Sequence, residues 1–350
     1  MTAVRHGKYS ALNPQKILVR ATNWVGDAVM SLPALAAFRN RFPEAHIAIL
    51  AKPWVADLYG REPFCDRVIP YTPQNWREKL AVARALKKEK FDWAILLQNA
   101  FEAAAVAFLA GIPVRIGYAR DGRGLLLTDA IPVPRAGEIP RHERFYYLEL
   151  LRRAGVIEQM PKCETIELTC APHARQQGLA RFAELGLGDS VIGMSPGAAY
   201  GTAKRWLPER FAEAAASIAR QTGSSIALFG SKDERNLCDA IARQIPGVTL
   251  RNFAGKTSLA EYIDLAAACR LYLTNDSGGM HIASALGVPT VAIFGATDDA
   301  TTGPTGALSN VVREKVECSP CLKRECPIDH RCMTRVDAER VALVALDLLK

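Results

Sequence analysis

The chain has 350 residues, 49% of them apolar and 23% charged, the balance of a soluble globular protein and not of a disordered or fibrous one. At about 100 to 200 residues per domain, that length implies two domains. Lysine and arginine number 44 against 36 aspartates and glutamates, a formal charge of +8, which suits anionic partners such as phosphorylated metabolites or lipid headgroups as well as a plain soluble surface.

The opening residues, MTAVRHGKYSALNPQK, contain no apolar core segment of the kind a secretory leader needs. The longest uncharged apolar stretch, 103–114, is too short to cross a bilayer. A cytoplasmic protein is expected, with any membrane contact peripheral. In a reducing compartment the nine cysteines would be thiols or metal ligands, not disulfides.

In chain order, β-rich runs at 17–21, 46–51, 67–71, 93–98 and 114–118 alternate with helical patterns at 28–41, 76–90 and 101–110. The second half repeats the theme, with strands predicted at 191–195, 225–230, 271–275 and 290–295 and helices at 208–221, 232–244, 258–268 and 279–286. Such alternation predicts parallel sheets covered on both faces. The segment 170–178, CAPHARQQG, carries weaker patterning and reads as the connection between the halves. Val341, Val344 and Leu348 share one face of a closing helix.

In open α/β sheets ligands sit beyond the carboxyl ends of strands, so the residues after each strand are the candidates. After the first strand, RATNWVGDAVMSLPAL puts Gly26 and Asp27 at a helix start, where Asp27 could serve chemistry or satisfy free amides. SPGAAYGTAKRWLPERF (195–211) combines Ser195, Gly197, Thr202 and Lys204 in a loop suited to phosphate oxygens. In LFGSKDERNL, Asp233 and Glu234 could meet ribose hydroxyls or complement a helix start. In LTNDSGGMHIASALG, Asp276 ends a strand, Ser277, Gly278 and Gly279 offer amides at the next helix start, and His281 lies in its first turn.

Other motifs are missing. No G-x-G-x-x-G occurs, GKT at 255–257 lacks the earlier glycine of a P-loop, and no H-E-x-x-H is present. No basic run interleaved with aromatics marks a nucleic-acid binder. Cys318, Cys321, Cys326 and Cys332, spaced C-x2-C-x4-C-x5-C, could hold structural zinc or an iron–sulfur cluster, or remain plain thiols.

VRATNWVGDAVMSLPAL, SPGAAYGTAKRWLPERF, NDSGGMHIASALGVPTVAIFGATD and CSPCLKRECPIDHRC, in this order, resemble glycosyltransferase family 9, the ADP-heptose:lipopolysaccharide heptosyltransferases. The resemblance implies a GT-B architecture of two Rossmann-like domains with parallel sheets facing a central cleft. It places an acceptor-side domain at 1–174, a nucleotide-sugar domain at 175–335, and a helix at 336–350 packing back on the first. It implies inverting transfer of L-glycero-D-manno-heptose from ADP-heptose to the first heptose of the lipopolysaccharide inner core, at the cytoplasmic face of the inner membrane. No cofactor is required for that chemistry, leaving a structural metal at the cysteines as the one candidate. Asp27 matches the general base and Lys204 the cation on departing ADP. The Ser277–Gly279 amides and Asp276 would hold diphosphate and sugar, and Glu234 the ribose. Arg120 and Arg123 in GYARDGRG would meet acceptor phosphates or carboxylates. The alternatives are another GT-B transferase, such as one acting on a Kdo acceptor, and a noncatalytic nucleotide-sugar binder.

Overall fold

A computed structural model describes residues 13–350, so most of the N-terminal stretch read above for a leader lies outside the described residues. The chain divides into two compact units, residues 1–163 and 164–350. The boundary falls eleven residues before the expected one, because CAPHARQQG is not a connector: it opens a helix of the second unit.

In the first unit the strands are β1 (Lys16–Arg20), β2 (His46–Ala51), β3 (Arg67–Pro70), β4 (Trp93–Leu96), β5 (Val114–Tyr118) and β6 (Asp129–Ile131). Its helices are α1 (Val25–Arg41), α2 (Pro53–Gly60), α3 (Trp76–Glu89), α4 (Phe101–Leu109) and α5 (Arg144–Arg153). All strand pairs are parallel, in the order β3-β2-β1-β4-β5-β6. The four residues of β4, WAIL, are all buried, whereas RVIP in edge strand β3 is not. Central strands of a sheet covered on both faces lose the alternation that half-exposed strands keep.

The second unit contains β7 (Val191–Ser195), β8 (Ser225–Leu228), β9 (Leu250–Asn252), β10 (Leu271–Asn275), β11 (Thr290–Phe294) and β12 (Ser309–Arg313). Its helices are α6 (Ala171–Glu184), α7 (Pro208–Thr222), α8 (Arg235–Ala242), α9 (Leu259–Ala267), α10 (Gly278–Ala285), α11 (Asp299–Thr302), α12 (Arg331–Thr334) and α13 (Ala338–Asp347). The sheet order is β12-β11-β10-β7-β8-β9. Numbered within its own unit, this is the winding of the first sheet over again: the first strand lies between the second and the fourth. Each sheet therefore has a switch point where its order reverses, between β1 and β4 and between β7 and β10. Ligands of doubly wound sheets settle at the carboxyl side of that point.

The closing helix departs from expectation. Val341, Ala342 and Ala345 of α13 belong to the second unit's core, with Trp206 just before α7, Phe211 in its first turn and Ile293 of β11. The sequence reading seats this helix on the first domain; its buried face instead completes the second. Two similar six-stranded parallel sheets with helices are the α/β architecture the resemblance implied.

Candidate active site

The loops flanking the β7/β10 switch point are joined by one buried amide. Asn275, the last residue of β10, accepts a hydrogen bond from the Trp206 backbone N–H (2.9 Å) and donates from Nδ2 to the Pro196 carbonyl (2.7 Å). Both ends of the loop from Pro196 to Trp206 are thus pinned to β10. A buried amide satisfied at both ends fixes geometry because leaving either group unpaired would cost about 1–3 kcal/mol.

Within that loop, the Lys204 ammonium lies 2.6 Å from the Asp276 carboxylate, which also accepts from the Thr297 hydroxyl at 2.6 Å. Asp276 is 4% exposed and Lys204 only 14%. The Lys204 ammonium also sits 5.0 Å from the centre of the Tyr200 ring. Asp276 immediately precedes Ser277, the N-cap of α10, and Gly278 and Gly279 are the helix's first two residues. The first amides of a helix have no intrahelical acceptor and carry the positive end of its dipole. A cation and a helix start therefore share the same small region, an arrangement suited to an anionic group.

Beneath it runs a chain of hydroxyls. Ser195 and Tyr272 are 2.6 Å apart, Tyr272 and Tyr262 2.7 Å, and Tyr262 donates to the Gly279 carbonyl at 3.3 Å. Burial pushes both tyrosine hydroxyls above their ordinary range, so they remain protonated donors. Gly279 is tight against this chain: a side chain there would press on the Tyr262 and Ser195 oxygens. Gly197 has a different neighbour, since an added Cβ would overlap the Glu234 carboxylate. Glu234 also closes a capping box with Ser231. Of the two uses the sequence left open, the structure shows the helix start, with the carboxylate set against Gly197 of the loop after β7.

The structure thus brings Ser195, Gly197, Lys204, Glu234, Asp276, Ser277, Gly278 and Gly279 to the carboxyl side of one sheet. Thr202 opens the short 3-10 helix Thr202–Lys204 and is exposed, while His281 is 6% exposed and buried in α10. Sequence reasoning missed Thr297 and Asn275. The available signal for Thr297 was its place directly after β11, the strand beside β10.

In the first unit, Asp27 occupies the first turn of α1 beside the β1/β4 switch point. Its Oδ1 is 3.4 Å from the Tyr147 hydroxyl of α5. The Tyr147 hydroxyl is held far above its usual range, first by burial and then by the negative charge of Asp27. Glu143 is raised for the same two reasons, in the same order.

Arg123 corrects the sequence reading. It is fully buried, with Nε donating to the Tyr118 carbonyl (2.9 Å), Nη1 to the Gln98 carbonyl, and Nη2 to Asn99 Oδ1 (3.0 Å). Burial lowers it to about 10. Its donors are spent on backbone after β4 and β5, so it shapes the switch point and does not reach an acceptor. Arg120 is over half exposed, 3.8 Å from Asp121.

Cys318, Cys321, Cys326 and Cys332 line one cavity of about 270 Å³. Burial, and then the three other cysteines, push the Cys332 thiol to about 11. Among the described residues no three His, Cys, Asp or Glu side chains converge as a metal ion requires.

Residues 79–331 match the profile of glycosyltransferase family 9 (heptosyltransferase). The chain belongs to this family. It is 31% identical over 312 residues to lipopolysaccharide heptosyltransferase 2 of Escherichia coli K12, covering 85% of this chain and 88% of that protein. Lipooligosaccharide heptosyltransferase 2 of Haemophilus influenzae Rd is likewise 31% identical, over 315 residues with the same coverage. Among solved structures, ADP-heptose lps heptosyltransferase II of E. coli superposes with a TM-score of 0.81 at 28% identity, covering 95% of this chain and 98% of that one. The protein is a glycosyltransferase of the GT-B fold.

Proposed function

We propose that this glycosyltransferase moves L-glycero-D-manno-heptose from ADP-heptose to the first heptose of the lipopolysaccharide inner core, with inversion at the anomeric carbon. The observation that carries the reading is the Lys204–Asp276–Thr297 cluster set at the N-terminus of α10, on the carboxyl side of the β7/β10 switch point.

The donor's diphosphate lies on the amides of Ser277, Gly278 and Gly279, and Lys204 turns from Asp276 toward it. Negative charge grows on the leaving phosphate as the glycosidic bond breaks, and a cation already in place stabilises that charge without solvent reorganisation. Asp276, relieved of its lysine, accepts from hydroxyls of the sugar, and Glu234 from the ribose. In the first unit Asp27 removes the proton from the attacking acceptor hydroxyl. A helix start favours the carboxylate and so weakens it as a base, and exclusion of water by the bound acceptor offsets that. Arg120 meets an anionic group of the acceptor. The acceptor's lipid anchor places the enzyme peripherally at the cytoplasmic face of the inner membrane.

Incubation with ADP-heptose and a set of defined truncated cores, followed by mass analysis, tests the reading. Addition of one heptose to a core ending in a single heptose is the expected result. Addition only to a heptose-free core would reassign the acceptor, and binding without any addition would make the protein a nucleotide-sugar binder. Asp27→Asn should lower transfer by about 10²–10⁴-fold while ADP-heptose affinity stays within error. Turnover retained in that variant would remove Asp27 from the role of base.

A further inference from the structure

Three tryptophans of this chain are at least half exposed: Trp24 at 60%, Trp54 at 56% and Trp76 at 50%, with Phe101 close behind at 46%. Singly exposed apolar residues need no explanation. These four, however, share one architectural position. Trp24 is the N-cap of α1, Trp54 the second residue of α2, and Trp76 and Phe101 the first residues of α3 and α4. The four helices follow β1, β2, β3 and β4, which neighbour one another in the order β3-β2-β1-β4. Because those strands are neighbours, the four helix starts lie along the carboxyl edge of the sheet, the edge that also carries Asp27.

The row is fastened to its loops. The Trp54 indole N–H donates to the Asn23 carbonyl at 2.7 Å, and Asn23 is itself held by Arg20 Nη2 at 2.9 Å. Arg20 lies over the Tyr71 ring, the Tyr71 hydroxyl donates to Glu102 (3.1 Å), and Glu102 pairs with Lys79 (2.5 Å), whose ammonium covers the Trp76 ring at 4.8 Å. Lys52 sits 5.6 Å from the Trp54 ring and 5.0 Å from that of Tyr71. Every loop after β1 to β4 contributes a member.

We propose that this edge is a saccharide-binding row that takes the acceptor's sugars beyond the unit being glycosylated, with Lys52 meeting an anionic substituent. This rests on the reading of the first unit as the acceptor side. Pyranose rings present C–H faces that settle on the negative face of an aromatic ring, while their hydroxyls stay wet; an exposed indole suits both demands. A lipid surface would favour aliphatic side chains among the rings, but the unit's exposed large aliphatics, Leu109 and Leu125, lie outside these helix starts.

The test uses full-length protein with Trp54→Ala, Trp76→Ala and the double variant, each with its phenylalanine counterpart. Transfer is measured to an extended anionic core and to a single-sugar acceptor, and binding of the free core oligosaccharide is followed separately by isothermal titration. Removing each ring should cost about tenfold in preference for the extended over the short acceptor, through acceptor KM and not donor KM, with phenylalanine restoring most of it. Unchanged preference and unchanged oligosaccharide affinity in the double variant would overturn the row. So would loss of binding to phosphatidylglycerol vesicles free of saccharide while acceptor KM holds. Oligosaccharide binding that depends on the rings, without transfer by the unaltered enzyme, would instead sink the transferase reading and leave the row standing.

Discussion

Lys204 is the residue on which the chemistry turns, and its neighbours say how much it should matter. Lys204→Ala should lower kcat by about 10²–10³-fold and leave Asp276 buried with only Thr297 for company. Thr297→Val should cost less, since Lys204 still holds the carboxylate; steady-state rates for the two variants check the order. Glu149, in α5, is a stability residue instead. It is fully buried and bonded to Arg152 at 2.7 Å and Arg153 at 2.6 Å. Burial works to raise its carboxyl, but those two arginines outweigh burial and lower it. A carboxyl lowered in the folded state stabilises above its ordinary value of about 4.3 and loses that contribution as pH falls through the folded value. Glu149→Gln should therefore cost about 3–5 kcal/mol at neutral pH, measured by urea unfolding, and the difference from the parent should shrink in acid. Legibility at this scale was uneven. Lys204 and Asp276 were legible as charged residues on loops after strands, which the structure brings to 2.6 Å of each other, and Asp27 stands in the first turn of a helix as expected. Asn275 and Thr297 were not legible, since short polar residues carry no spacing signal. Arg123 misleads because an arginine in GYARDGRG looks solvated, while the fold turns its side chain inward onto carbonyls from a strand distant in sequence.

Helix α6 shows what local pattern cannot tell. Pro172 and Gly178 resemble breakers, so the segment reads as a connector. Yet proline is harmless in a first helical turn, where its missing N–H is unneeded, and Gly178 is there for contact: a Cβ would collide with the Asp264 carbonyl of α9 and crowd Ala268. Gly178→Ala, usually a gain within a helix, should here destabilise by about 1–3 kcal/mol, seen as a lower urea midpoint with an unchanged slope. The short edge strands β6, β9 and β12 escaped for a related reason. Three residues such as LRN, or a polar SNVVR, have little pattern of their own and pair only because a neighbouring strand offers its edge. The interior strands, being continuous apolar runs, were plain.

For the whole molecule, the division at residue 163 makes ligand effects separable. ADP should slow backbone hydrogen exchange in the loops around 196–206, 231–234 and 276–279, while leaving 22–27 near its free rate. Exchange measured by mass spectrometry with and without ADP checks this, and equal protection of both regions would contradict donor binding within the second unit alone. The basic excess of +8 predicts that KM for an anionic acceptor rises with salt, because long-range attraction is screened over about 8–10 Å at ordinary ionic strength. The two-domain α/β plan was legible from alternation alone; the seat of α13 was not, because an amphipathic helix at a chain's end states which face it hides but not against what.

That helix, closing the core of its own half, has an evolutionary and practical corollary. With α13 tucked into the core of the second unit, the body proposed to hold the nucleotide keeps all its own packing partners, and the seam at 163–164 is a natural splice point. Hybrid chains joined there, with the front portion from one family member and the rear from another, should inherit acceptor choice from the first parent and donor choice from the second.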